Sequence, residues 1–316
     1  MSVITPRNYF KPFQYDEFFE FYKAQHRVHW LADEIPLSSD IKDWHEKLDE
    51  KSKNLIGNIL KSFAQTEVHV NDYWSTKVSV WFQIPEIQVA CRAFADFESI
   101  HAEAYARLNE ELGLDNFKAF LEDEVSKAKI DNLVETPGET WEERALSLAV
   151  FSAFTEGVNL FSSFAILMSF QLRDLLKGTG QIVEYSVRDE SLHSRAGCIL
   201  FRLLLQDVPE INTPELQNKI EDAARTAVEL EFNFIDKAFE MGDLSNLTKD
   251  ELKNFIKART NEKLTELGYK GIYDVDLSLL RNMDWFGKLT SGKIHSDFFS
   301  ARVSDYAKST ADWSDL

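Results

Sequence analysis

The chain has 316 residues and a formal net charge of −18 at pH 7, with 44% hydrophobic residues but only 12 glycines and 7 prolines. This composition excludes a chain that is disordered over most of its length. Glycine and proline at about half of their usual share of roughly 12% predict long regular elements. The acidic balance argues against direct nucleic-acid binding, because phosphate backbones repel a negative chain.

The two cysteines, Cys91 and Cys198, form no CxxC motif. A disulfide framework is therefore excluded, and a reducing, cytoplasmic setting is expected. The first residues lack the apolar core of a signal peptide, so none is expected. Without a dithiol pair, the chain cannot by itself be a thiol-dependent reductase.

The spacing of apolar residues is helical along most of the chain, which predicts an all-α fold. Residues 1–40, with three prolines, are predicted to be an irregular segment packed on a helical domain of residues 41–295. Pro85 marks a helix start, and the Gly-rich residues 177–180 are predicted to end a helix. The predicted helices cover about 41–80, 85–113, 116–128, 141–176, 181–206, 214–241, 248–267 and 276–283.

Residues 146–170 are apolar and long enough to cross a bilayer. Glu156 lies in the middle of this segment, with Asn159 and several serines nearby. A buried helix that carries one working carboxylate explains the segment better than a membrane span, so no membrane association is expected.

The last segment, residues 296–316, is polar and rich in serine, and it ends with Trp313 and Leu316. A frayed terminus is one interpretation. Aromatic and apolar residues at the end of a polar segment favour the other, a flexible tail that docks on a partner.

Two Glu-x-x-His motifs lie in otherwise apolar helical stripes, at Glu98/His101 and at Glu190/His193. The spacing of three residues places both side chains of a motif on one helix face. Since a buried carboxylate is costly unless it is paired or bound to metal, these stripes predict ligands rather than core residues.

Two further carboxylates, Glu67 and Glu156, lie alone in apolar stripes, 31 and 34 residues before the two motifs. A chain reversal before Pro85 places Glu67 level with Glu98, whereas Glu156 needs a break in one helix to reach Glu190. Four helices would then present the ligand set of a dinuclear carboxylate site in a bundle. Oxygen-rich ligands suit iron and manganese. The alternative is four glutamates in surface ion pairs, which the apolar neighbours disfavour.

At this point residues 96–105 (DFESIHAEAY) and 188–193 (RDESLH) resemble the ligand segments of the small subunit of class I ribonucleotide reductase. Residues 297–306 (DFFSARVSDY) resemble the start of that family's C-terminal tail. The resemblance covers roughly residue 15 to the end. It implies a ferritin-like helical bundle, a homodimer, and a metal site whose oxidising equivalent passes to a large catalytic subunit that makes deoxyribonucleotides.

The resemblance also implies roles for individual residues. Tyr105 matches the radical tyrosine, and Trp30 matches the tryptophan of the transfer route, with Asp189 linking it to His101. Tyr306 would carry the equivalent across the subunit boundary. The implied metal ligands are Glu67, Glu98, His101, Glu156, Glu190 and His193.

Glu67 departs from the commonest family pattern, which has aspartate there, and some manganese-using members carry glutamate. Iron–iron, manganese–manganese and mixed centres all stay open, with manganese slightly favoured. Two other functions compete: a ferritin-like oxidase of another substrate, and a metal storage protein. The oxidase would not need Trp30, Asp189 or a tail with Tyr306. A storage protein needs neither a buried tyrosine beside the ligands nor a docking tail.

Overall fold

The computed structural model describes residues 2–114 and 138–290, apart from the side chains of residues 61, 62, 64–69 and 71. This part of the chain is helical, with one isolated antiparallel bridge between Leu244 and Leu247. The predicted all-α class is confirmed. The predicted helix at 116–128 and the tail at 296–316 lie outside the described residues.

The N-terminal segment is not irregular throughout, which corrects the prediction for residues 1–40. Helix α1 spans Asp16–Arg27, and α2 begins at Ser38 and ends at Glu46. The prolines at 6, 12 and 36 fall outside both helices, so the intervening run can bury one face through Phe18 and Gln25. Helix α1 packs on the helix that carries the first Glu-x-x-His motif.

The predicted helix at 41–80 is interrupted between α2 and α3, which spans Glu50–Asp72. Asp49 accepts a hydrogen bond from the Ser52 N–H and so starts α3. Beyond Asp72 the backbone winds more loosely, as a π-helix over Tyr73–Val78 and a short α-turn over Ser79–Trp81.

Helix α4 spans Pro85–Glu111 and confirms the predicted start at Pro85. Gly113 follows its last turn with a φ of 70°, a left-handed conformation that glycine adopts without strain. The helix places its Glu-x-x-His motif in the interior, where Glu98 and His101 are both fully buried.

The apolar segment begins with α5, Trp141–Ala149, whose cap Thr140 exchanges hydrogen bonds with Glu143. It continues as a π-helix over Val150–Asn159 and then as α6, Phe161–Ser169. The whole run, Trp141–Arg173, is long and apolar enough to span a membrane, but 94% of its apolar window is buried inside the protein. The buried-helix interpretation is confirmed. The π-helix supplies the break that Glu156 was expected to need.

Helix α7 spans Lys177–Asp207, so the glycine-rich residues 177–180 begin a helix and do not end one. The preceding turn is made instead by Asp174 and Leu176, with φ of 58° and 53°. The Asp40 carboxylate on α2 accepts hydrogen bonds from the N–H groups of Gly178 and Thr179. It thereby caps α7 from a distant part of the chain, a contact that local sequence signals do not reveal.

Three further helices are α8 at Pro214–Ala238, α9 at Lys249–Leu267 and α10 at Leu277–Asn282, and residues 284–290 are helical as well. Their caps, Thr213, Thr248 and Asp276, confirm the predicted starts. The helices that carry the candidate ligands are neighbours, since α3 packs on α4, and α7 packs on both α4 and the second π-helix.

Candidate metal centre

Four acidic and imidazole side chains converge in the interior between these helices. Glu98 comes from α4, Glu156 from the second π-helix, and Glu190 and His193 from α7. Each offers one ligand atom, and these atoms all lie within 4.8 Å of one another. All four side chains are fully buried.

His101 faces the same cluster, one turn beyond Glu98 on α4. Its Nδ1 atom lies 3.1 Å from Oε2 of Glu98 and 3.2 Å from Oε1 of Glu190. Five of the six ligands implied by the sequence therefore come together. The sixth, Glu67, lies on α3, and its side chain is outside the described part.

The donor set fits metal ions. Oε1 of Glu98 lies 2.7 Å from Nδ1 of His193, whereas Oε2 of Glu190 is, within the described residues, buried without a hydrogen bond. Buried polar atoms are rarely left so, and three buried carboxylates in contact repel one another unless a cation lies between them. Carboxylate oxygens with two imidazole nitrogens suit iron or manganese.

In the metal-free cluster, burial and contacts between the cluster residues set the pKa values of their side chains. Burial alone would raise the pKa of Glu98, but the cationic forms of His193 and His101 lower that pKa to about 2. Burial and the charge of Glu98 raise the pKa of Glu190 to about 6. Burial opposes the proton on His101, but its contacts with Asp189, Glu190 and Glu98 raise the His101 pKa well above the usual value. Metal binding must displace that proton, so it releases protons to solvent.

Asp189 joins several groups behind the cluster. Its Oδ2 accepts a hydrogen bond from Trp30 Nε1 at 2.9 Å and lies 3.2 Å from His101 Nε2. Its Oδ1 accepts from Gln25 Nε2 at 3.0 Å. The expected link from Trp30 through Asp189 to His101 is therefore present, with the Trp30 indole and the His101 ring 5.9 Å apart.

Gln25 orients the ring of His193. The sequence did not predict this role for Gln25. Because the Asp189 carboxylate only accepts, the Gln25 amide nitrogen must face it, and Gln25 Oε1 then faces His193 Nε2 at 3.0 Å. An amide oxygen there requires the proton on Nε2, which leaves Nδ1 of His193 free for the metal. The sequence signal for Gln25 was its position seven residues after Phe18, which places both side chains on the buried face of α1.

Replacing Gln25 by leucine is expected to weaken metal binding about 10- to 100-fold, the usual effect of losing a residue that orients a ligand. The leucine leaves the His193 N–H without an acceptor and frees the ring to rotate. A chelator-competition titration measures the affinity. Gln83→Leu, at an exposed glutamine, is the control. Equal affinities for both variants would show that Gln25 does not orient His193.

Glu156 has its own partner, which sequence reasoning also missed. Trp74, in the first π-helix, donates from Nε1 to Glu156 Oε1 at 2.5 Å. Trp74 is 1% exposed and lies edge-on to the His193 ring, with centroids 6.3 Å apart. Its place seven residues after Glu67, on the same helical stripe, was the only hint.

Tyr105 lies one turn beyond His101 on α4 and is fully buried. Its hydroxyl donates to Ser186 Oγ on α7 at 2.7 Å, and its ring packs on Phe63 with centroids 4.6 Å apart. Ser186 precedes Glu190 by one turn, so Tyr105 borders the cluster in a dry environment. Tyr306, the other tyrosine singled out by sequence, lies outside the described residues.

Comparison with known proteins bears on this arrangement. The family model described as "Ribonucleotide reductase, small chain" matches residues 7–280. The protein named "Probable ribonucleoside-diphosphate reductase small subunit 048L", from Invertebrate iridescent virus 3, is 32% identical over 99% of this chain and 88% of its own length.

Two solved structures share the fold. Dimanganese(II)-NrdF of Streptococcus sanguinis matches with a TM-score of 0.74 and 20% identity, over 87% of this chain and 100% of its own. The Rnr4 homodimer of Saccharomyces cerevisiae matches with a TM-score of 0.72 and 22% identity, over 87% of both chains. These likenesses confirm the ferritin-like helical bundle predicted from the sequence.

Proposed function

The chain belongs to the ribonucleotide reductase small-chain family, and we propose that its buried carboxylate–histidine cluster generates the oxidising equivalent on which that reductase depends. The observation that carries the proposal is the convergence of Glu98, Glu156, Glu190 and His193 within 4.8 Å in a member of this family. The substrates would be ribonucleoside diphosphates, as the name of the viral relative states for that protein.

The proposed centre holds two metal ions. The ligands would be the five converging side chains together with Glu67, which lies on α3 beside α4. When bound, the metals supply an oxidant strong enough to remove one electron from a tyrosine or tryptophan. Either iron or manganese suits the ligands, and glutamate at position 67 slightly favours manganese. The full ligand set is Glu67, Glu98, His101, Glu156, Glu190 and His193.

The proposed route out of the centre passes through His101, Asp189 and Trp30. Asp189 is fully buried, and contact with His101 and Arg188 lowers its pKa despite burial, so it stays a carboxylate. As an anion it accepts the Trp30 indole proton in a hydrogen bond and holds His101 with Nδ1 toward the metals. These contacts favour single-electron transfer between Trp30 and the centre, a function that neither a storage protein nor an oxidase of small molecules requires.

Tyr105 is proposed to store the radical. It is shielded from water and has its hydroxyl fixed by Ser186. A tyrosyl radical in such a site is protected from solvent reductants. The apolar ring of Phe63 on one side supports the same role.

The nucleotide chemistry is proposed to lie on a large catalytic subunit. Burial raises the pKa of Cys91 and raises that of Cys198 to about 12, so neither thiol is available as a reductant. We further propose that the chain is a homodimer in the cytoplasm, that residues 296–316 dock on the large subunit, and that Tyr306 passes the equivalent across the boundary.

Deleting residues 297–316 is expected to abolish reductase activity with the large subunit while metal content stays unchanged, because the cluster lies in the remaining helices. Activity in the mixed assay and metal per chain are measured on the same samples. Tyr306→Phe should also lose turnover but still bind the large subunit. A truncated chain with full activity would contradict the tail assignment, whereas an inactive full-length chain with the correct large subunit would contradict the proposed function.

A further inference from the structure

Two buried tryptophans donate hydrogen bonds to carboxylates in or directly behind the centre. Trp30 donates its indole N–H to Asp189, and Trp74 donates its own to Glu156. Each indole also lies beside one of the two histidines, Trp30 by His101 and Trp74 by His193. The transfer route described above uses only the first of these pairs.

Trp74 is the inner end of an aromatic series that leads outward. Its ring centroid is 6.1 Å from that of Tyr73, which is 6.0 Å from that of Trp81. Exposure increases along the series, from 1% for Trp74 to 4% for Tyr73, and Trp81 is half-buried. Among the residues that the structure describes, the other aromatic neighbours of Trp74, apart from His193, are Phe94 and Phe151, whose rings are far harder to oxidise.

The three side chains of this series differ in how readily they lose an electron. Indoles lose an electron most readily, and a nearby carboxylate stabilises the positive charge that remains, as Glu156 can for Trp74. Tyr73 contacts Ser147 Oγ at 3.0 Å, and a serine hydroxyl is a poor base for the proton that a phenol must release when it is oxidised. Tyr73 therefore connects the two indoles through its ring without itself being oxidised.

We propose that Trp74 and Trp81 form a second path for single electrons between the protein surface and the metal centre, separate from the path through Trp30. The inference rests on the proposed function, because it requires an oxidised centre. Its use is to return an oxidised centre to a lower state when no partner takes up the oxidising equivalent.

Electron transfer along this path is a balanced one-electron reduction of the centre by an external donor. A small water-soluble reductant such as ascorbate gives one electron at Trp81, and one electron leaves Trp74 for the centre. The donor is oxidised by one electron, the centre is reduced by one, and both indoles end as they began. The Trp74 proton stays in the hydrogen bond between Nε1 and Glu156 Oε1, so no proton crosses the protein.

The test uses the full-length, metal-loaded chain without its partner. After oxidation, ascorbate is added in a stopped-flow instrument, and the decay of the absorption bands of the oxidised centre is followed. A Trp30→Phe background removes the first path. Adding Trp81→Phe to it is expected to slow the decay about tenfold, whereas adding Tyr73→Phe, which keeps a bridging ring, leaves the rate nearly unchanged.

Trp141→Phe in the same background is the matched control. Trp141 is half-buried and packs on Arg144, which also lies over Trp81, but its aromatic contact is to Phe82 and not to Tyr73. Equal decay rates for Trp81→Phe and Trp141→Phe would overturn the second path. Wild-type protein that binds metal but never forms an oxidised centre would contradict the proposed function itself, and the path with it.

Discussion

Replacing Glu190 by glutamine is expected to remove most of the bound metal and, at the same time, to stabilise the metal-free protein at pH 7. The loss of metal follows because the carboxylate of Glu190 lies in the cluster, with Oε1 beside His101 and Oε2 without a hydrogen bond. We expect affinity to fall by more than about 100-fold, beyond the effect of residues that only support ligands. Metal per chain after gel filtration measures this part.

The gain in stability has a separate cause. The pKa of Glu190 is about 6 in the folded protein, above its ordinary 4.5, because of burial and the Glu98 charge. Ionisation of Glu190 therefore costs folding free energy as pH rises above 4.5. A neutral amide avoids this cost, which is on the order of 1 kcal/mol at pH 7. Thermal unfolding of metal-free samples measures it.

Glu98→Gln is the matched comparison, and its effect on stability has the opposite sign. The pKa of Glu98 is about 2, below its ordinary 4.5, because the cationic histidines hold the carboxylate. That carboxylate stabilises the fold above pH 4.5, and the contribution is lost as pH falls through 2. Glu98→Gln should therefore lose both metal and stability at pH 7. Glu231→Gln, at a buried carboxylate bonded to Ser162, should keep its metal. Two ligand variants that retain metal would contradict the site.

Asp189→Asn is expected to lower turnover with the large subunit about 10- to 100-fold, while the metal ligands remain in place. Asp189 receives hydrogen bonds from Gln25, Trp30 and Arg188 and contacts His101. An amide cannot accept from all of these donors, so at least one buried N–H loses its partner. Turnover in the mixed assay, with metal content determined in parallel, measures the effect.

Combining Asp189→Asn with Trp30→Phe tests whether Asp189 acts in the electron-transfer route or only supports the structure. If Asp189 acts by serving Trp30, the two substitutions remove the same step, and the double variant should be no slower than the worse single one. Independent structural damage would instead add up in the double variant. Full turnover in Asp189→Asn with normal metal content would remove Asp189 from the route.

Much of the site could be predicted from the sequence because its signals are local. The Glu-x-x-His spacing places both side chains on one helix face, so Glu98 with His101, and Glu190 with His193, follow from periodicity alone. Pro85 likewise marked a helix start that the structure confirms, and the helices predicted from about 141, 214 and 248 begin at the caps Thr140, Thr213 and Thr248.

The contacts that sequence reasoning missed are between distant parts of the chain. Gln25 reaches His193 across 168 residues, and Trp74 reaches Glu156 across 82. The start of α7 was misplaced for the same reason, since its cap is Asp40, 138 residues away from Gly178. In residues 1–40, three prolines predict irregular structure, but they lie outside α1, whose buried face packs on α4. Such errors arise where tertiary contacts, and not local propensity, decide the structure.

The most direct measurement of the central claim is the number of metal ions bound per chain. Metal-free, full-length protein is loaded anaerobically with manganese(II) or iron(II), freed of excess metal by gel filtration, and analysed by elemental mass spectrometry. A dinuclear centre predicts two ions per chain in the wild type and a clear loss in Glu190→Gln. Fewer than one ion per wild-type chain with either metal, or two ions retained in Glu190→Gln, would contradict the account.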